Sequence, residues 1–215
     1  MDIETARANM IENQIRPWEV LDPRVLDVLG KVRREDFVPA AYRLLAFADT
    51  ALPLDHDEVM LKPVVEGRLL QALDLAAADD VLEIGSGSGF LTACIGQLAH
   101  AVTAIDIYGD FVDSARARLA GAGVHNARIE TGDLFAWNAG RQFDAILIGG
   151  ALAEIPQRVF DWLKPDGRLV AVRGETPAQQ AVRVTQRGNG WHAESLFETD
   201  IPYLRGGQPT PRFTL

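Results

Sequence analysis

Two rhythms of apolar and polar positions divide the chain near residue 78. Before that point, apolar sets recur at helical spacing: Val25, Leu26, Val28 and Leu29, then Val64, Leu69, Leu70 and Leu73. Asp22-Pro23 reads as an N-cap residue followed by proline at the first helical position, and Pro63 opens the second set. No helix is predicted ahead of Asp22. Residues 35–62 carry no clean period and are interrupted by Pro39 and Pro53. They predict a long, partly ordered loop, a kind of segment that often covers a site. From residue 79 the rhythm changes. Short apolar strands are predicted at Asp80–Gly85, Ala101–Asp106, Ala127–Glu130, Phe143–Ile148 and Arg168–Val172. Helical patterns lie between them at Gly89–Leu98, Asp110–Ala120 and Pro156–Leu163, and Lys164-Pro165-Asp166-Gly167 reads as a turn. Strands alternating with helices predict a parallel sheet. Residues 178–187 and 191–200 flank Gly188-Asn189-Gly190, a hairpin signal. The expectation is an α/β, Rossmann-like fold with a mostly parallel seven-stranded sheet ending in an antiparallel hairpin. Residues 1–78 form a helical and loop segment on its substrate side, and residues 79–215 form the core of one domain.

Composition narrows the function classes. The net charge is −9 over 215 residues. Nucleic-acid affinity rests on neutralising phosphates, so an acidic chain without a basic stripe predicts no nucleic-acid partner. Lys31, Arg33 and Arg34 are the densest basic cluster; with acids beside them they read as a solvated helix end. No apolar run approaches the roughly 20 residues of a membrane helix, and the N-terminus has no apolar signal region. A cytoplasmic monomer is the expectation. The single cysteine, Cys94, lies in an apolar run and reads as a small buried hydrophobe. Four histidines and one cysteine show no metal-ligand spacing, so no metal is expected. Trp137, Trp162 and Trp191 read as core fillers.

The chemistry concentrates in Glu83-Ile84-Gly85-Ser86-Gly87-Ser88-Gly89, at the end of the first sheet strand. Glycines there permit a tight turn and close approach of a ligand to the backbone. Ligands of open α/β sheets bind at the carboxyl ends of strands. A dinucleotide fingerprint is G-x-G-x-x-G with a pyrophosphate at the helix N-terminus. Here the spacing is G-x-G-x-G, and Glu83 would repel a pyrophosphate. The acid suits instead the cationic amino end of S-adenosylmethionine. Asp106, followed by Ile107, ends the next strand and is suited to accept from ribose hydroxyls. Gly132-Asp133-Leu134 follows the third strand, where an acid can accept from an adenine amino group. These residues predict a cofactor site for S-adenosylmethionine in a class I methyltransferase arrangement.

Beyond the cofactor loop, the sequence resembles the protein-L-isoaspartate O-methyltransferases over nearly its whole length. Arg34-Glu35-Asp36-Phe37-Val38-Pro39 resembles that family's REXFVP segment. Phe47 to Leu54 is similar to its Y-x-D-x-x-L-P-I, Val81 to Gly89 to VLEIGTGSG, and Phe143 to Ala151 to FDAIIVTAA. Ile155-Pro156 and the tail Ile201-Pro202-Tyr203-Leu204 extend the likeness. The resemblance implies methyl transfer to the free carboxylate of an isoaspartyl residue in a damaged protein or peptide. A carboxylate is already nucleophilic, so the enzyme needs chiefly to align it with the methyl group.

One segment departs from that pattern. The family's substrate loop, G-Q-T-I-S-Q-P, corresponds to Asp57-Glu58-Val59-Met60-Leu61-Lys62-Pro63. Val59 and Leu61 stand where the family has hydroxyls, and leucine offers a carboxylate no donor. Asp55, Asp57 and Glu58 make the segment acidic. Lys62 is the candidate partner of an acceptor carboxylate, if it points inward. His56 is a candidate base for a different acceptor, such as a phenol or amine. The acceptor therefore stays open between an isoaspartyl peptide or protein and a small molecule. A non-catalytic S-adenosylmethionine-binding module is a further alternative.

Overall fold

The structure is a computed structural model and describes residues 2–188 and 190–210. Its centre is a seven-stranded sheet formed by β3 (Asp80–Ile84), β4 (Ala101–Asp106), β5 (Ala127–Thr131), β6 (Phe143–Leu152), β7 (Leu163–Arg173), β8 (Gln179–Arg187) and β9 (Gly190–Thr199). The spatial order is β5-β4-β3-β6-β7-β8-β9. The first five of these strands are parallel; β8 runs antiparallel to both β7 and β9. The expected parallel sheet with a terminal antiparallel hairpin is present, although Asn189 lies outside the described residues. Strands β3, β4 and β5 run outward on one side, and the chain then returns to lay β6 against β3. Strand order therefore reverses between β3 and β6, where a crevice opens at the carboxyl ends.

Local chemistry explains most element boundaries. Helix α2 (Pro23–Lys31) begins as expected: the Asp22 side chain accepts from the backbone N–H of Arg24 at 2.8 Å, and Val25, Val28 and Leu29 are buried. Helix α3 (Pro63–Leu73) is apolar on most sides because it lies between the sheet and the N-terminal segment. Helices α4 (Phe90–Leu98) and α5 (Gly109–Gly121) fill the crossovers β3–β4 and β4–β5. At the amino ends of the strands, Asp144 accepts from the Asp80 N–H (2.8 Å) and from Lys164 Nζ (2.7 Å), tying β3, β6 and β7 together. One hydrophobic cluster joins Met10, Leu29, Leu69, Ala104 and Val172, so the N-terminal segment shares its core with the sheet.

Four expectations change. A helix, α1 (Ile3–Met10), precedes Asp22 and runs on through a π-turn and a 3-10 turn to Trp18. Its apolar stripe is sparse, and it is held partly by a buried ion pair between Arg7 and Glu35 (2.6 Å), which no periodicity reveals. Residues 35–62 hold 3-10 turns and a small antiparallel ladder, β1 (Leu52–Pro53) with β2 (Val59–Met60). The helix expected over Pro156–Leu163 shrinks to α6 (Gln157–Phe160), because Leu163 pairs with Phe143 in the sheet. Arg34 is no solvated helix end. It is fully buried, ion-paired with Glu66, and donates to the carbonyls of Ala46 and Leu61 at 2.8 Å each. Its guanidinium lies over the Phe90 ring. Arg33 and Lys31 beside it stay exposed.

Candidate active site

The crevice between β3 and β6 is floored by the glycine turn. Gly85 adopts φ +83°, and a Cβ there would sit 2.9 Å from Leu204 Cδ2, so only glycine fits. The Gly87 N–H donates to Asp106 Oδ2 at 2.8 Å, which fixes the turn against the end of β4. Gly89 caps the start of α4. Ser86 and Ser88 are buried beneath the turn: Ser86 Oγ lies 3.5 Å from Asp106 Oδ2, and Ser88 Oγ accepts from the Phe90 N–H.

Asp106 is nearly fully buried, and burial raises its pKa. Its other oxygen accepts from the Tyr108 N–H at 3.1 Å. Ile107, Gly132, Asp133 and Leu134 join Asp106, Gly85 and Gly87 along the crevice wall. The space between these atoms, with the open solvent at its mouth included, is about 670 Å³.

Glu83 is not among these lining residues. It alternates onto the opposite side of the strand from Ile84, facing the core that holds Glu66. It is fully buried and neither carboxylate oxygen has a hydrogen-bond partner. Burial raises its pKa to about 8 against the pull of the nearby Thr92 hydroxyl, with the Asp106 and Glu66 charges adding to the rise. Thus the acid expected to face the ligand stands one layer behind the turn.

The roof comes from two segments far apart in sequence. Leu54, Glu58, Val59 and Leu61 approach from one side, and Pro202, Leu204 and Arg205 from the other. The tail lies alongside β6: Ala151 N–H donates to the Pro202 carbonyl and Leu204 N–H to the Ala151 carbonyl, both at 2.9 Å. Tyr108 joins the two segments. The His56 ring stacks on it with centroids 4.0 Å apart, and Arg205 Nε donates to its hydroxyl oxygen at 2.9 Å. Its hydroxyl reaches toward Glu58 Oε1 at 3.5 Å. Glu58 is half-buried; burial and the Asp106 charge raise its pKa, against the pull of the Tyr108 hydroxyl, Arg205 and His56.

His56 Nε2 meets the Asp110 carboxylate at 2.9 Å and lines a neighbouring groove, not the crevice. Lys62 is exposed ahead of α3 and outside the crevice lining. Tyr108, Arg205 and the Gly149-Gly150 wall were missed in the sequence. Gly149-Gly150 lies within the Phe143–Ala151 resemblance and Arg205 directly follows the tail resemblance, whereas Tyr108 carried no signal.

A doubly wound sheet with an acid at each of two strand ends beside a glycine turn defines the architecture of a nucleoside-binding class I methyltransferase. The family profile described as protein-L-isoaspartate(D-aspartate) O-methyltransferase (PCMT) matches residues 5–201. The chain belongs to this family and is an S-adenosylmethionine-dependent O-methyltransferase. It is 37% identical over 207 residues to protein-L-isoaspartate O-methyltransferase 2 of Anaeromyxobacter sp. (strain Fw109-5), covering 95% of this chain and 85% of the relative. A second relative, protein-L-isoaspartate O-methyltransferase of Methylorubrum populi, is 35% identical over 94% of this chain and 97% of its own. The fold is similar to a crystal structure of a protein-L-isoaspartate O-methyltransferase from Plasmodium falciparum in complex with S-adenosyl-L-homocysteine. The TM-score is 0.80 at 20% identity, over 92% of this chain and 97% of that one. Among the described residues, no helix is long and apolar enough to cross a membrane.

Proposed function

We propose that the crevice binds S-adenosylmethionine and that the chain methylates the free carboxylate of isoaspartyl residues in peptides and proteins. The observation that carries this reading is the pairing of Asp106 and Asp133 at neighbouring strand ends, beside a glycine turn with no side chain at Gly85 or Gly87. A nucleoside fits that set: Asp106 accepts from ribose hydroxyls, Asp133 from an exocyclic amine, and Ile107 and Leu134 give apolar contact to a base. When bound, the cofactor supplies an electrophilic methyl group on a sulfonium. The residues of this chain have three tasks. The glycine turn lets the ligand approach the backbone. The roof excludes water. The loop and tail hold the acceptor in line, because alignment is the main requirement for a carboxylate nucleophile. Glu83 acts from behind the turn as a positioning group.

A second reading, transfer to a phenol, amine or small acid, draws on Val59 and Leu61 in the crevice wall and on the raised pKa of Glu58. One assay separates the two. Labelled S-adenosylmethionine is incubated with an isoaspartyl peptide and its aspartyl twin, with cofactor binding measured on the same preparation. Selective labelling of the isoaspartyl peptide is expected. Cofactor binding without transfer to that peptide would overturn the assignment in favour of the second reading.

A further inference from the structure

The apolar residues Val59 and Leu61 leave the acceptor's carboxylate without a hydroxyl partner from the loop, and the crevice is otherwise acidic. Glu58, Asp106 and Asp133 all line it. A second carboxylate arriving there is repelled unless a cation receives it. Among the described residues, Arg205 is the only positively charged side chain in the lining.

We propose that Arg205 receives the acceptor carboxylate and sets specificity for it, replacing the hydroxyls absent from the loop. The inference rests on the isoaspartyl reading above. Three features of the structure argue for it. First, position: Glu58, Pro202 and Arg205 line both the cofactor crevice and the groove running between residues 56–58 and 202–208. A peptide lying in that groove meets the crevice at Arg205. Second, rigidity: the backbone around Arg205 is a tight turn, with Gly207 N–H donating to the Leu204 carbonyl at 2.8 Å. Its two ends are tied to β6 and the residue after it, through Leu204 N–H to the Ala151 carbonyl and Ala153 N–H to the Gly207 carbonyl. Third, availability: Nε is used on Tyr108, and the guanidinium sits 5.5 Å from that ring's centroid. Arg205 is exposed; its charge acts on the nearby Glu58, but among the described residues no carboxylate stands within ion-pair distance of it. Its two terminal nitrogens therefore present the planar fork that matches a carboxylate.

The test compares wild type, Arg205→Ala and Arg205→Lys in methyl transfer to an isoaspartyl peptide, with S-adenosylhomocysteine affinity measured in parallel. Arg205→Ala is expected to raise KM for the peptide by about tenfold or more, the scale of one charge-assisted contact, and by more than it weakens S-adenosylhomocysteine binding. Arg205→Lys should recover part of the loss, keeping the charge without the fork. A competing peptide with an uncharged amide at the isoaspartyl carboxylate gives a second readout. Wild type should prefer the carboxylate peptide, and Arg205→Ala should lose that preference. An unchanged KM, or equal loss of affinity for both competitors, would overturn the role of Arg205 while leaving the acceptor assignment intact. Absence of transfer by wild type, with cofactor bound, would remove the acceptor reading and this inference with it.

Discussion

The floor and roof of the crevice are built on different principles. The floor consists of strand ends and one glycine turn, held by backbone hydrogen bonds such as Gly87 N–H to Asp106 and Gly85 N–H to the Ile105 carbonyl. The roof consists of the 54–61 loop and the 201–207 tail, joined through the side chains of Tyr108, His56, Glu58 and Arg205. A floor made of backbone tolerates little change, since each turn residue has a required conformation. Each roof segment has backbone ties of its own, but the two meet through side chains, which can be exchanged while those ties stay. That difference is consistent with a glycine motif that resembles the family's form beside a loop that departs from the family pattern at Val59 and Leu61.

The comparison breaks most forcefully at Arg34, which anchors the roof to the core. Arg34→Ala leaves Glu66 buried without its partner and frees the carbonyls of Ala46 and Leu61. A loss of about 3–5 kcal/mol in unfolding free energy is expected, read by chemical denaturation. A change under about 1 kcal/mol would show that the roof does not depend on this pair.

The next test concerns Glu83 and the pH dependence of stability. Its folded pKa of about 8 lies above the ordinary carboxylate value of 4.5, so the folded state binds the extra proton between those values. The stabilisation is complete below pH 4.5 and is lost as pH rises through 8. Glu83→Gln should flatten the decline by up to about 1.4 kcal/mol per pH unit across that window. Parallel curves for variant and wild type would mean that Glu83 does not titrate there.

Within the floor, Asp106→Ala removes the acceptor for Gly87 N–H and the proposed ribose partner. Affinity for S-adenosylhomocysteine should fall about 30- to 100-fold by calorimetry, about 2–3 kcal/mol. Full retention of affinity would detach Asp106 from the cofactor. The smallest effect is expected at His56, whose partner Asp110 is exposed and whose contacts lie on the rim. His56→Ala should change peptide KM by no more than about twofold, as for an exposed pair. A large fall in kcat would instead restore His56 as a candidate base.

The sheet and the glycine turn were legible in the chain alone. Alternation of apolar strands with helical stretches is local, and the spacing of Gly85, Gly87 and Gly89 with Asp106 and Asp133 reflects a geometry completed within consecutive βα units. Asp22 and Pro63 announced their helices for the same local reason. Glu83 was legible as unusual but not in direction, because a strand residue's face depends on which side the helices cover.

The roof, by contrast, emerges from the packing of distant segments. Tyr108 meets His56 across 52 residues of chain and Arg205 across 97, so no window of sequence contains their contact. That packing also decided that Arg34 is buried and Lys62 exposed, although both are cations within four residues of an acid in the sequence. Charge pattern carries no information about depth. Depth is set by where α3, the loop turns and α4 converge, and their convergence around Arg34 leaves Lys62 facing solvent.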